Sequence, residues 1–118
     1  MTHVEKELLA TDLSGRLNYE PYIKIEGCAD VFLTCIYYEY EDYGTKNYYV
    51  NNGYDISRVK PYLLPLSSMN KEQKKYIRDN YTFGATYELF DWFDKNHYDY
   101  RGLIQKGLAI DATDLNIY

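Results

Sequence analysis

Asn51-Asn52-Gly53 is the feature that most limits how this chain can fold. Asparagine and glycine both tolerate positive φ, so an Asn-Gly step between two apolar runs is the strongest short signal for a β-hairpin. Asn47 to Val50 and Tyr54 to Val59 flank it. The spacing predicts strands three and four of an antiparallel sheet.

Two further strands precede the hairpin. Tyr22 to Glu26 alternates, with Ile23 and Ile25 on one face and Tyr22, Lys24 and Glu26 on the other, as a half-buried strand requires. Gly27 to Asp30 is a turn. Val31 to Tyr40 is the longest strand candidate, and it is apolar on both faces. That pattern predicts a central strand with something packed on each side. Glu41 to Lys46, with Gly44, is a loop. Lys60 to Ser68 holds two prolines and is expected to be an extended strap rather than a central strand.

Helical signals lie at the start and in the second half. Thr2 and Glu5 have capping-box spacing, and Val4, Leu8 and Leu9 follow at helical intervals. A first helix over about residues 3 to 12 is expected, with Gly15 ending it. Asn70 and Gln73 cap a second helix reaching about Asn80, and Gly84 breaks the pattern. A third helix from near Ala85 carries Leu89, Phe90, Trp92 and Phe93 as a core stripe, with Asp91 and Lys95 as an i,i+4 pair on the wet side. Asp99 is expected to cap a last short helix through Lys106, stopped by Gly107. Leu108 to Asp111 either adds a strand or docks.

The expected fold is α+β, in a single domain over 1–118. It has a small antiparallel sheet of about four strands packed with about three to four short helices. An SH3-type barrel is one way to roll such a sheet. Residues 1–60 hold mainly helix plus sheet, and 61–118 the strap and helices.

Charge narrows the partners. Thirteen Lys and Arg against 18 Asp and Glu leave a net charge of -5, a poor basis for gripping duplex nucleic acid through phosphates. A local basic pocket for a small anion is still compatible with that balance. Sixteen tyrosines stand beside one tryptophan and four phenylalanines. They are either half-buried sheet residues or a wall of rings for a base, sugar or partner loop. Cys28 and Cys35 fit neither a redox nor a zinc spacing, and ordinary strand packing is expected for both. The start lacks a signal-peptide pattern and no run approaches a membrane span, so a soluble intracellular protein with two reduced thiols is expected.

Three stretches together resemble a group of short proteins of Bacteroidetes phages and integrated elements. They are Glu7 to Leu17 (ELL..DLS.RL), Lys60 to Met69 (close to KPYLRPLSSM) and Tyr98 to Ala109 (close to FDYRGLI.KGLA). The chain departs from the pattern at Leu64, where the group has arginine. The resemblance implies a mobile-element setting, with the cytoplasm of a bacterial host as the expected location, and no particular activity. Small proteins in that setting often counter host defence, by blocking a protein or by sequestering a nucleotide signal.

His97, Asp99 and Arg101 alternate and would share one face of an extended chain. A base oriented by a carboxylate beside an anion-gripping arginine is conceivable there, but no nucleophile and no glycine-rich phosphate loop accompany them. The opposing reading is an Asp99 cap with Arg101 paired to an acid. No spacing matches a metal site, and no cofactor or catalytic residue is assigned. The run Tyr37 to Tyr43 alternates rings with acids and could face a basic protein surface. The expected function is non-enzymatic binding by occupancy. Tyr38, Tyr40, Arg58, His97, Asp99 and Arg101 are the candidate ligand-binding residues, for a small polar or nucleotide-type ligand or a host protein. Inhibition of a protein through the acidic tyrosine surface is the alternative, and a small hydrolase the third reading. Self-association as a homo-oligomer is also expected.

Overall fold

The computed structural model describes residues 1–41, 44–81 and 86–118. Three helices, α1 (His3–Arg16), α2 (Lys71–Asn80) and α3 (Thr86–Lys95), surround eight short strands. These are β1 (Tyr22–Ile25), β2 (Val31–Phe32), β3 (Ile36–Tyr40), β4 (Lys46–Val50), β5 (Tyr54–Asp55), β6 (Val59–Pro65), β7 (Tyr98–Asp99) and β8 (Ile110–Asp111). The α+β class is as expected. The strands form two open sheets, one of five strands and one with the order β3-β4-β5, and neither closes into a barrel.

α1 starts where its cap predicts. The Thr2 hydroxyl accepts from the Glu5 N–H at 3.1 Å, and the Glu5 carboxylate accepts from the Thr2 N–H at 2.8 Å. Such a box is worth about 1 kcal/mol. The helix runs through Gly15 to Arg16 instead of ending before it. A Cβ at Gly15 would meet Asp94 Oδ2 at 3.3 Å, so this glycine serves the close approach of α3. α2 begins on the expected Asn70–Gln73 box. Gly84 and Ala85, proposed as the break and the start of α3, lie outside the described residues.

The Val31 to Tyr40 run is not one central strand. It is split between β2 in the large sheet and β3 at the edge of the small one. The Asn51 side chain holds the break, accepting from the Thr34 N–H at 2.7 Å and donating to the Phe32 carbonyl at 3.0 Å. Leu33 turns inward there, 1% exposed. The hairpin residue thus carries the crossing between sheets, with Asn51 (φ 52) and Gly53 (φ 106) in positive φ as the turn demands.

The proline strap is also corrected, because β6 is the central strand of the five-stranded sheet. It pairs antiparallel with β1 (Ile23↔Pro61, Lys24↔Lys60, Ile25↔Val59) and parallel with β8 and β7. The Glu26 N–H donates to the Arg58 carbonyl, and the Leu63 carbonyl accepts from Ala112. Even positions therefore turn their backbone groups toward β1 and odd positions toward β8. The missing N–H of Pro61 falls on the β8 side, before that pairing begins at Tyr62, and costs the ladder nothing.

The expected helix after Asp99 is a series of turns. Asp99 caps them, its two oxygens each accepting at 2.9 Å from the Leu103 and Ile104 N–H groups. Gly102 and Gly107, both at φ 73, keep the chain from winding further. The motif instead drops Leu103, Leu108 and Ala109 into the core beside Leu9, Leu13, Ile23, Ile25, Val59 and Leu63. Each fully buried aliphatic side chain here contributes roughly 1.5–3 kcal/mol of transfer free energy.

Candidate functional site

The small sheet presents the tyrosines. β3 and β4 pair with Tyr37 opposite Tyr49, Tyr38 opposite Tyr48 and Tyr40 opposite Lys46. Cross-strand alternation sends Tyr38, Tyr40, Tyr48 and Lys46 to one face. There Tyr38 meets Tyr40 edge-on, with ring centroids 5.4 Å apart, and Tyr48 at 6.2 Å. Lys46 Nζ sits 4.6 Å from the Tyr38 ring centroid and 5.9 Å from that of Tyr40. A lysine held over two rings is a fixed positive charge beside flat apolar surface.

That face looks onto α1, and between them runs a groove of about 410 Å³ lined by Ala10, Thr11, Ser14, Ile36, Tyr38, Lys46 and Tyr48, with Tyr37 of the opposite face at its margin. The helix wall is made of small residues. Thr11 and Ser14 donate their hydroxyls back to the carbonyls of Glu7 and Ala10, at 2.9 and 2.7 Å, so these donors are already used within the helix. The volume lies in the range of small-molecule sites.

The six candidate residues do not gather in one place. Tyr38 and Tyr40 are neighbours, 50% and 62% exposed. Arg58 lies in a different cleft, with Lys24, Lys60, Gly27 and Ile110, that shares no lining residue with the tyrosine groove. His97 stacks its ring on Tyr118, with centroids 3.6 Å apart, and burial together with the charge of Arg16 pushes its pKa down to about 4. Its φ of 65 is unusual for a residue other than glycine. Asp99 is buried and spent on the backbone cap, so it does not orient His97, whose Nδ1 has no hydrogen-bond partner among the described residues.

Arg101 pairs with an acid far away in sequence. Its Nη1 donates to Asp12 Oδ1 at 2.8 Å. Asp12 also takes both Nε and Nη2 of Arg16, at 2.8 and 3.1 Å, and Arg16 donates onward to the Tyr98 carbonyl at 2.6 Å. Asp94 lies 3.8 Å from Arg16 Nε, and burial raises its pKa. Both guanidinium groups lie over the Tyr100 ring, at 5.4 and 4.6 Å. Burial and the adjoining Asp94 push the Tyr100 hydroxyl up to about 12. This buried ionic cluster fastens α1 to α3 and β7.

Sequence reasoning missed Asp12, Arg16 and Asp94. A signal was present: Leu9, Asp12, Leu13 and Arg16 fall at i, i+3, i+4 and i+7, so the ion pair occupies the core-facing stripe of α1. Lys46 was hidden in the expected loop. Asp91 pairs with the Tyr19 hydroxyl rather than with Lys95. The aromatic stripe of α3 is only partly core: Phe93 is buried, whereas Phe90, 41% exposed, stacks on Tyr100 at 4.9 Å. Cys28 lies exposed in a turn rather than in a strand, and Cys35 donates to the Asn51 carbonyl at 3.0 Å. Tyr43, the last ring of the acidic run, is outside the described residues. Among the described residues, no three of His, Cys, Asp or Glu gather to hold a metal, and no helix is long and apolar enough to cross a membrane. Comparison with family models, curated proteins and solved structures finds no match.

Proposed function

We propose that this chain is a non-enzymatic binding protein that acts by occupancy, taking a small polar, nucleotide-type ligand into the groove between α1 and β3–β4. One observation carries the reading: Tyr38 and Tyr48 line the groove together with Lys46, whose ammonium lies over the Tyr38 ring, so a planar ring and an anionic group can be held together. Lys46 supplies the charge that the sequence had suggested would come from Arg58 or Arg101. A phage or mobile-element setting, with a host-defence signal as the ligand, rests on the resemblance of the three stretches at Glu7 to Leu17, Lys60 to Met69 and Tyr98 to Ala109. Calorimetric titration with a panel of nucleotides tests the site. Binding should weaken about tenfold or more in Tyr38→Ala and in Lys46→Ala, the scale of one lost stacking or charged contact. A panel with no binder, or a binder indifferent to both substitutions, sinks the reading.

A second reading is favoured by the exposure of β3. Its outer edge is unpaired among the described residues and carries Tyr38, Glu39, Tyr40 and the adjoining Glu41, all exposed. An acidic edge strand of this kind suits a basic host protein that adds a strand to it. A second copy of the chain could add at the same edge, as a homo-oligomer. Sedimentation over a wide concentration range decides the latter, and one monomeric species throughout ends it.

A further inference from the structure

The outer face of the large sheet holds a charge arrangement that folding alone does not favour. Lys24 on β1 and Lys60 on β6 are direct cross-strand partners, both exposed, in a chain whose net charge is -5. Like charges placed opposite each other on a sheet destabilise it. Neither lysine, nor Arg58 beside them, has an ion-pair partner among the described residues.

Arg58 is held in place. Its Nη2 donates to the Glu26 carbonyl at 2.6 Å, and its Cζ lies 5.7 Å from the Tyr54 ring centroid. Gly27, at φ 78, makes the turn that brings this carbonyl round, and a Cβ there would stand 3.6 Å from the same Nη2. The nearby Asp55 carboxylate accepts the Ser57 N–H and hydroxyl on Oδ1, at 2.9 and 2.7 Å, and its charge also faces Arg58. Lys24, Arg58 and Lys60, with Glu26, Gly27, Ser57 and Ile110, line a cleft of about 410 Å³. Three bases against Glu26 in the lining and Asp55 beside Arg58 leave it locally positive.

We propose that this cleft is an anion site for a phosphoryl-type dianion, separate from the tyrosine groove. The fork of Arg58 takes two oxygens, and the facing lysines supply point charges from either strand. The ligand offsets the repulsion between Lys24 and Lys60, which is why the pair is tolerated.

The test uses pyrophosphate, inorganic phosphate and a nucleoside 5′-diphosphate at constant ionic strength, read by thermal shift and titration. The wild-type chain should show saturable stabilisation by pyrophosphate. Lys24→Gln/Lys60→Gln should melt at the same temperature or higher without ligand, and bind pyrophosphate about tenfold or more weakly. Tyr38→Ala/Lys46→Ala should bind it as the wild type does. In the Tyr38→Ala/Lys46→Ala chain, where the groove no longer competes, equal affinity for pyrophosphate and the nucleoside diphosphate identifies a free phosphoryl group as sufficient, and tighter binding of the latter identifies one carried on a nucleotide. No saturable shift in the wild type overturns the proposal, as does undiminished binding in the lysine variant. So does a loss confined to the tyrosine variant, which would place the anion in the groove.

Discussion

Two arginines reach the same carboxylate from different depths. Arg16 is fully buried and binds Asp12 through two donors, while the Arg101 side chain, 24% exposed, adds one. Removing Arg16 leaves the buried Asp12 with the single bond from Arg101 and takes away the positive charge beside Asp94. Arg16→Met should therefore cost about 3–5 kcal/mol, the penalty for breaking a buried pair. Arg101→Ala leaves Asp12 with its bidentate partner and should cost only about 1–2 kcal/mol. Urea denaturation of both variants measures this. Equal losses would mean that Asp12 depends on both arginines alike. Arg101 lines neither the groove nor the basic cleft, so its replacement should leave binding at either unchanged.

At the scale of elements, the contact between α1 and α3 depends on a missing methyl group. Gly15→Ala in a helix normally stabilises by about 0.5–1 kcal/mol. Here the new Cβ would stand 3.3 Å from Asp94 Oδ2, on a side chain that is 9% exposed and beside Arg16. Gly15→Ala should thus destabilise by about 1 kcal/mol, crowding outweighing propensity. In an Asp94→Ala background the same change should stabilise by roughly 0.5–1 kcal/mol. A double-mutant cycle that shows no coupling would remove the packing explanation. Tyr118 plays a comparable part between strands: its hydroxyl accepts from the Tyr22 N–H and donates to the Tyr62 carbonyl, both at 2.9 Å, where β1 and β6 would otherwise bond directly.

For the whole molecule, pH dependence is a sum of opposed contributions. His97 titrates at about 4 in the fold against an ordinary 6.5, so the unfolded chain takes up a proton that the folded chain refuses. Its contribution is fully present above 6.5, falls as pH drops toward 4, and is level below. Asp94 works the other way, because its raised pKa lets the fold hold a proton before the unfolded chain does. His97→Asn isolates the first effect, since asparagine tolerates the left-handed backbone at this position. Between about pH 7 and pH 4 the stability difference should move in the variant's favour by about 1–2 kcal/mol, discounted for the solvent that reaches the ring. Parallel profiles for the two proteins would show that His97 is not the titrating group.

Local chemistry alone was enough for the capped starts of α1 and α2, the Asn51-Asn52-Gly53 turn and the inward face of β1, because caps, φ preferences and alternation act within a few residues. It also sufficed for the α+β class. The tertiary structure decided what depends on a partner distant in the chain. A proline is harmless in a central strand only if its missing N–H faces no neighbour, and nothing in Lys60 to Ser68 says which side β8 will occupy. Val31 to Tyr40 reads as one strand until Asn51 divides it. Asp12 and Arg16 are legible as a pair, yet their meeting with Asp94 and Arg101 required α3 and the closing turns to fold back over α1. Tyr38 and Tyr40 share a sheet face with Lys46 through strand register, whereas Arg58 closes a short 3-10 turn that interrupts the expected Tyr54 to Val59 strand between β5 and β6. Ion pairing and cleft formation are set by distances in space, and one-dimensional spacing does not carry them.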